Sequence, residues 1–177
     1  MSHSLPPEHA VLGAPFDACN DLAAAKNANL YRAAMRLGPE RQRFFLAAYA
    51  SMRVIDDIVD DGFLELPDAQ RDAERETVLE TVHQWQAQVM AAKADMDNPM
   101  PEGGPLTGAV YDALRLTLGR SDLPADPWIE LADALHRDIA EEPMDEWDDF
   151  IAYCEGATAA PASIQRSTFA APRSAKA

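Results

Sequence analysis

The sequence has little cysteine and no long hydrophobic run. Its 177 residues contain two cysteines, Cys19 and Cys154, in no CxxC or Cys/His pattern, so neither a disulfide framework nor a structural zinc site is indicated. No stretch approaches 18 consecutive apolar residues, and the first residues form neither the basic nor the apolar region of a signal peptide. We therefore expect a cytoplasmic protein, either free or peripheral to the membrane.

Positive charge is also scarce, and it is unevenly placed. The chain carries 15 basic against 30 acidic residues, a formal net charge of −15, and such a chain repels the phosphates of DNA and RNA. Residues 1–53 hold six basic and four acidic groups, a balance of +2, which leaves 9 basic and 26 acidic groups, or −17, in the remainder. Nucleic acid is therefore excluded as a partner, and a locally basic segment leads into a strongly acidic one.

Hydrophobic residues make up 47% and charged residues 25% of the chain, which is ordinary usage for a folded domain. Alanine and long side chains are frequent and no run alternates β-branched with polar residues, so the sequence predicts an all-α fold. Asp145 and Asp148 resemble a capping box before the last helix. The expected helices cover residues 17–37, 39–61, 68–96, 126–142 and 147–158. The expected regions are an irregular N-terminus over 1–16, a helical region over 17–164 and an unstructured tail over 165–177.

The most informative segment is the second expected helix, RQRFFLAAYASMRVIDDIVDDG. At about 100° per residue, Asp56 and Asp60 fall within its apolar stripe, whereas Asp57 and Asp61 fall toward a more exposed flank. An unpaired carboxylate facing a core costs several kcal/mol, so the pattern indicates a polar cavity, a cation or a basic partner. Two carboxylates one turn apart suit Mg²⁺. The alternative is that the four acids end a solvated helix.

Three segments resemble the squalene/phytoene synthase family. AAYASMRVIDDIVDD, residues 47–61, resembles its first aspartate-rich motif, in which an Arg precedes a D-D-x-x-D helix. KNANLYRAAMRLGPERQRFF, residues 26–45, is similar to the polar and aromatic opening stretch of the family. The segment from Trp128 to Ile164 resembles a D-x-x-x-x-D helix followed by a Y-C-x-G-A helix. The order and spacing match the N-terminal half of such an enzyme.

The resemblance implies an orthogonal helical array of the isoprenoid synthase type, with Mg²⁺ holding the diphosphate of a prenyl donor. It implies that Arg53, together with two of the aspartates, is catalytic. Arg53 either meets the diphosphate or forms an i,i+4 salt bridge to Asp57. The implied metal ligands are Asp56, Asp57, Asp60 and Asp61, with Asp56 and Asp60 as the catalytic pair. The implied substrate-binding residues are Asn27, Asn29, Tyr31 and Arg53.

The activity that the resemblance implies is a transferase reaction of isoprenoid (terpenoid) biosynthesis. Two farnesyl or geranylgeranyl diphosphates condense head to head, because loss of one diphosphate gives an allylic cation that the double bond of the second chain attacks. The protein must hold the leaving group and shield the cation from water. NADPH is implied as a cofactor only for a squalene-forming enzyme.

The resemblance covers only the N-terminal half of such an enzyme, and no second aspartate-rich motif follows Ile164. We therefore expect a fragment that is inactive as an isolated chain, with residues 165–177 read out of frame. The alternative is a non-catalytic helical module, or a partner subunit that needs a second chain or self-association. Because helices of the missing half would cover part of the aspartate helix, we expect an exposed apolar surface that includes parts of the stripe formed by Phe45, Met52, Ile55 and Val59.

Two further patterns place a carboxylate three residues before a histidine, Glu80-x-x-His83 and Asp133-x-x-His136. Paired motifs of this kind occur in di-iron helical bundles. Here one of the two carboxylates is Asp, and His83 lies in a polar stretch, so surface histidines are the favoured interpretation and a di-iron site is the alternative. The three tryptophans, Trp85, Trp128 and Trp147, are expected to be core or capping aromatics rather than ligand contacts.

Overall fold

The computed structural model describes residues 13–26, 28–121, 124–159 and 162. Every regular element in these residues is helical, which confirms the all-α prediction. The α-helices are α1 (Ala14–Lys26), α2 (Ala28–Ala34), α3 (Pro39–Asp56), α4 (Asp68–Ala94), α5 (Gly108–Leu118), α6 (Asp126–Ala140) and α7 (Trp147–Cys154). Two π-helical segments follow α3 and α7, namely the first π turn (Asp57–Phe63) and the second π turn (Glu155–Ala159).

Local signals account for the starts of three helices, α3, α5 and α7. Gly38 precedes α3 in an extended conformation and Pro39 is its first residue, which is where a missing backbone N–H does no harm. The Thr107 hydroxyl accepts from the Val110 backbone at the start of α5. The capping box of α7 lies one residue later than expected, because Glu146 and Asp149, and not Asp145 and Asp148, exchange the two hydrogen bonds.

The helices pack around one core. α3 packs against α1 and α5, and α4 packs against α5 and α6. The two largest buried side chains, Trp85 of α4 and Trp128 of α6, approach α3 from different helices and both meet Ser51. The expectation that these two tryptophans belong to the core is therefore confirmed, whereas Trp147 is 70% exposed.

The expected exposure of an apolar stripe on the second helix is wrong. Phe45, Met52, Ile55 and Val59 are all buried, because α1, α5 and the other helices of this chain cover that face. The exposed large apolar side chains lie elsewhere and include three on α7, Trp147, Phe150 and Ile151. Within the described part of the chain, no helix is both long enough and apolar enough to cross a membrane.

Candidate active site at the first π turn

The four aspartates lie where α3 changes into the first π turn. The Leu64 backbone N–H donates to the Val59 carbonyl, five residues earlier, at 2.9 Å, which is the spacing of a π-helix. Ile55, Val59 and Phe63 anchor the segment because all three are buried. The carboxylates occupy the remaining sides, so Asp56 is half-buried and Asp60 is exposed. Asp60 therefore lies at the rim of the core and not inside the apolar stripe.

Two basic side chains hold the cluster together. The Arg53 guanidinium lies 2.6 Å from Asp56 and 3.2 Å from Asp61, and it also pairs with Asp57. The i,i+4 bridge between Arg53 and Asp57 is thus present together with contacts to two further acids. Lys26, the last residue of α1, lies 2.8 Å from Asp57 and 3.6 Å from Asp61. The basic first segment of the sequence therefore meets the acidic motif directly.

Asp56 and Asp60 are the two acids of the motif whose pKa values are raised. Burial raises the pKa of Asp56 to about 6, repulsion from Asp60 adds to the rise, and Arg53 opposes it. The pKa of Asp60 is also raised, first by its partial burial, against the opposing effect of Arg53. Two neighbouring carboxylates that resist being charged together are typical of a site that accepts a cation or shares a proton.

Helices α6 and α7 complete the rim. The Tyr153 hydroxyl donates to the Asp138 carboxylate at 3.1 Å. Burial raises the pKa of Tyr153 to about 12, with the charge of Asp138 as the next cause, and burial also raises the pKa of Asp138. The charge of Asp60 acts on both groups. The first π turn, α6 and α7 therefore share one polar region.

Three residues of this region were not among the sequence-predicted site residues: Lys26, Asp138 and Tyr153. Asp138 and Tyr153 lie in the D-x-x-x-x-D and Y-C-x-G-A segments that carried the resemblance, so a signal for them was present. Lys26 begins the opening stretch that carried the resemblance, but its contact with Asp57 had no local signal, because that contact joins α1 to the first π turn and depends on how the helices pack.

The structure describes three of the four expected substrate-binding residues. Asn27 lies outside the described residues. Asn29 is exposed on α2, and Tyr31 is half-buried on the same helix and packs against the core. Arg53 is thus the member of the expected substrate-binding set that lies within the aspartate cluster.

The acidic side chains of the cluster limit the kind of metal ion that the site could bind. No group of three or more His, Cys, Asp or Glu side chains in the described part of the chain is arranged to hold one. Lys26 and Arg53 pair with Asp57 and Asp61, and Arg53 also pairs with Asp56. Asp56 and Asp60 nevertheless repel each other, because the charge of Asp60 raises the pKa of Asp56. Mg²⁺ is commonly bound through only one or two carboxylates, with waters and substrate phosphates completing its octahedron. The pair fits that mode and does not fit a cage built from protein ligands alone.

An apolar groove follows the aspartates along the chain. It lies between the first π turn and α4, has a volume of about 530 Å³ and is open to solvent. Its lining residues are Gly62, Phe63, Leu66, Ala69, Gln70, Ala73, Glu74 and Val78.

Every regular element of the described residues is helical, and the aspartate cluster lies at the end of one of these helices. Residues 23–162 match the family model described as squalene/phytoene synthase, and the chain belongs to this family. The chemistry of the family is the head-to-head condensation of prenyl diphosphates in isoprenoid biosynthesis. No individual curated protein is similar enough to the chain to count as a relative.

Proposed function

We propose that this chain binds the magnesium diphosphate of a prenyl donor, farnesyl or geranylgeranyl diphosphate, at Asp56 and Asp60. The observation that carries the proposal is the pair itself. The pKa of Asp56 is raised to about 6 by burial and by Asp60, so bringing a divalent cation to this pair would relieve the repulsion. A carboxylate pair of this kind leaves room for phosphate oxygens on the metal.

Each neighbouring residue has a proposed role. Asp56 and Asp60 would hold Mg²⁺, which when bound neutralises charge on a leaving diphosphate. Asp57 and Asp61 form ion pairs with Arg53 and Lys26, and the role of these two acids would be to hold the basic side chains in position. Arg53 is the group that would turn from an aspartate to a diphosphate oxygen, because guanidinium binds both in the same forked geometry.

The reaction of the family makes a second demand, which is the exclusion of water. Breaking the carbon–oxygen bond to diphosphate leaves an allylic cation, and water would capture it before a second prenyl chain could attack. The groove beside the aspartates is open to solvent, and the described residues provide one aspartate-rich cluster. We therefore propose that the 177-residue chain alone binds substrate without turning it over.

Calorimetry with a non-ionising thiodiphosphate analogue of farnesyl diphosphate tests the binding. We expect weak heat that requires both Mg²⁺ and the analogue, because neither carboxylate pair nor diphosphate alone fills the coordination sphere. Asp60→Asn should lower the affinity at least about tenfold, and since Asp60 is exposed this variant should fold normally. Asp72→Asn, which removes an exposed acid of α4, is the matched control. Binding that survives both Asp56→Asn and Asp60→Asn would refute the proposal.

Turnover is tested separately with labelled farnesyl and geranylgeranyl diphosphates. We expect no presqualene diphosphate, squalene or phytoene, with or without NADPH, because the cation would lie open to water. Formation of any of these products by the purified chain would contradict the proposal of binding without turnover and would leave the binding site itself supported.

A second candidate function is that of a partner subunit or non-catalytic helical module. The observation that favours it is α7, on which Trp147, Phe150 and Ile151 are exposed side by side. Exposed aromatic and aliphatic side chains of this kind are enriched where proteins associate. Light scattering over a range of concentrations tests it: a mass that stays at one chain, unchanged by Trp147→Ser, would count against self-association through α7.

A further inference from the structure

His83 and His136 bring the two carboxylate-x-x-His motifs of the sequence into contact. Their ring centroids lie 4.7 Å apart with the planes at 63°, and they belong to α4 and α6, which pack directly against each other. The described residues contain no group of three or more His, Cys, Asp or Glu side chains that could hold a metal ion, so the pair is not the di-iron site that the motifs suggested as an alternative. The contact of the two imidazoles is instead part of the interface between α4 and α6.

The two rings differ in their access to water. The His83 side chain is 59% exposed, and its Nδ1 lies 4.0 Å from a carboxylate oxygen of Glu80, so a positive charge on this ring meets solvent and a nearby acid. Nε2 of His136 is buried, and no group in the described part of the chain forms a hydrogen bond with it. The surface position expected of both histidines therefore holds for His83, whereas His136 is partly buried.

The surroundings of His136 suit a neutral ring and not a charged one. A protonated imidazole carries an N–H on both nitrogens, and the N–H on Nε2 would meet neither solvent nor an acceptor among the described residues, which is costly for a charged group. A charge on His136 would also repel a charge on His83, because the rings are in direct contact. Burial first, and His83 second, accordingly lower the pKa of His136.

The acids around the pair do not offset this preference. Asp133, three residues earlier on α6, favours a proton on His136, but its effect is smaller than those of burial and of His83. Glu80 of α4 lies beside His83. The charges that act on His136 are those of His83 and Asp133. The first and second π turns also pack against α6, and they contain the acids Asp57, Asp60, Asp61 and Glu155.

We infer that the His83–His136 contact is an acid-sensitive joint between α4 and α6, which is closed while His136 is neutral and opens when this ring takes up a proton. Opening exposes Nε2 to water and separates the two rings, so both costs of the charge are relieved. His136 lies two residues before Asp138, whose carboxylate accepts from Tyr153, so the joint adjoins the polar region of α6. The inference uses neither Asp56 nor Asp60 and does not depend on the proposed diphosphate site.

The direction of the pH dependence follows from proton binding. A histidine in an unfolded chain has a pKa of about 6.5, and folding lowers the pKa of His136, so the opened state binds the proton more tightly than the closed state. The stabilising contribution of the contact is complete above about pH 6.5 and is lost as the pH falls through the lowered pKa. Asp56 and Asp60 act in the opposite direction, because their pKa values are raised, and they cannot imitate this loss.

Hydrogen–deuterium exchange of the full chain at about pH 7.5 and about pH 5.5 tests the joint. After correction for the intrinsic exchange rate at each pH, we expect the amide protection of residues 78–90 and 129–140 to fall about three- to tenfold at the lower pH. Residues 43–53 of α3 should keep their protection. The control is His3→Gln/His9→Gln, which changes the two histidines outside the described residues and should show the same loss.

His136→Phe is the decisive variant, because phenylalanine keeps an aromatic ring against His83 and cannot take up a proton. The protection of α4 and α6 in this variant should be the same at both pH values. His83→Gln removes the neighbouring charge and should reduce the loss without abolishing it, because burial still acts on His136. An NMR titration of the His136 ring should give a pKa below the ordinary value of about 6.5.

Unchanged protection between the two pH values in the original chain would overturn the inference. An equal loss in His136→Phe would overturn it as well, because a ring that cannot be protonated would then open the same contact. If His136→Phe does not fold, the comparison passes to His83→Gln, in which an undiminished loss contradicts the joint. A pKa of His136 at or above about 6.5 would also contradict it.

Discussion

Ser51 joins three helices of the core through hydrogen bonds. Its hydroxyl accepts from the Trp128 indole at 3.1 Å and donates to the Ala48 carbonyl at 2.9 Å, and its own carbonyl accepts from Trp85 at 2.7 Å. Ser51 and both tryptophans are fully buried. The orientation of two large side chains thus depends on one small polar residue of α3.

Ser51→Ala should lower the free energy of unfolding by about 1–3 kcal/mol, because the Trp128 indole N–H loses its acceptor inside the core. Urea unfolding measures the change. Thr81→Ala, which removes a hydroxyl from the surface of α4, is the control and should cost less than about 0.5 kcal/mol. In a Trp128→Phe background the effect of Ser51→Ala should shrink, and an equal effect there would argue against the hydrogen bond as its cause.

Asp56 makes the metal-free fold sensitive to pH. In the folded chain, burial and Asp60 raise its pKa to about 6, against about 3.9 for an aspartate in an unfolded chain. Because the raised pKa means tighter proton binding by the folded state, the stabilising contribution is complete below about pH 4. It is lost as the pH rises through about 6.

Asp56→Asn should therefore reduce the loss of stability between about pH 4 and about pH 7.5 in the presence of a chelator. Urea unfolding midpoints at the two pH values give the comparison. Asp68→Asn, at an exposed acid of α4, controls for the removal of one charge and should leave the slope as in the original chain. The same slope in Asp56→Asn and the original chain would show that this carboxyl does not cause the pH dependence.

At the scale of elements, Gly156 permits the close approach of the second π turn to α6. A Cβ at this position would lie 2.6 Å from the Glu130 carbonyl oxygen and 3.1 Å from the Ala134 Cβ. Because the nearer contact is with the backbone of α6, an added Cβ would displace the helix and not only a side chain. This approach keeps Tyr153 within 3.1 Å of Asp138 and so maintains one side of the candidate site.

Gly156→Ala should push the end of α7 away from α6 and cost about 1–3 kcal/mol, which is typical of an overpacked contact. The pKa of Tyr153, about 12 in the packed structure, should fall toward its ordinary value of about 10 as the hydroxyl becomes exposed. Ultraviolet titration follows this change. Gly108→Ala, at a glycine with nothing within 4 Å of the added Cβ, is the matched control and should change neither quantity.

At the scale of the whole molecule, the three tryptophans report how completely the chain packs. Trp85 and Trp128 are fully buried and Trp147 is 70% exposed. Acrylamide should therefore quench one class of tryptophan strongly and leave the other shielded. Trp147→Phe should remove the quenchable class, whereas Trp85→Phe should retain it. Strong quenching that remains in Trp147→Phe would mean a loosely packed core, as expected from an exposed apolar stripe.

Much of the fold could be predicted from the sequence. Gly38 and Pro39, which separate the first two expected helices, mark the start of α3, because proline fixes its own φ and lacks the backbone N–H that a helix interior needs. The π conformation of residues 57–63 could not be predicted, since it depends on Val59 and Phe63 finding buried positions. The burial of the apolar stripe also depended on which helices cover it.

The candidate site divides in the same way. The sequence by itself determined the aspartate motif, the arginine before it and the family, because these depend on residue types at short spacing. Only the tertiary structure decided that Lys26 reaches Asp57, that Asp138 and Tyr153 share a region with Asp60, and that His83 meets His136. Those contacts join residues far apart in the chain, and the packing of helices, which no local spacing encodes, sets the distances between them.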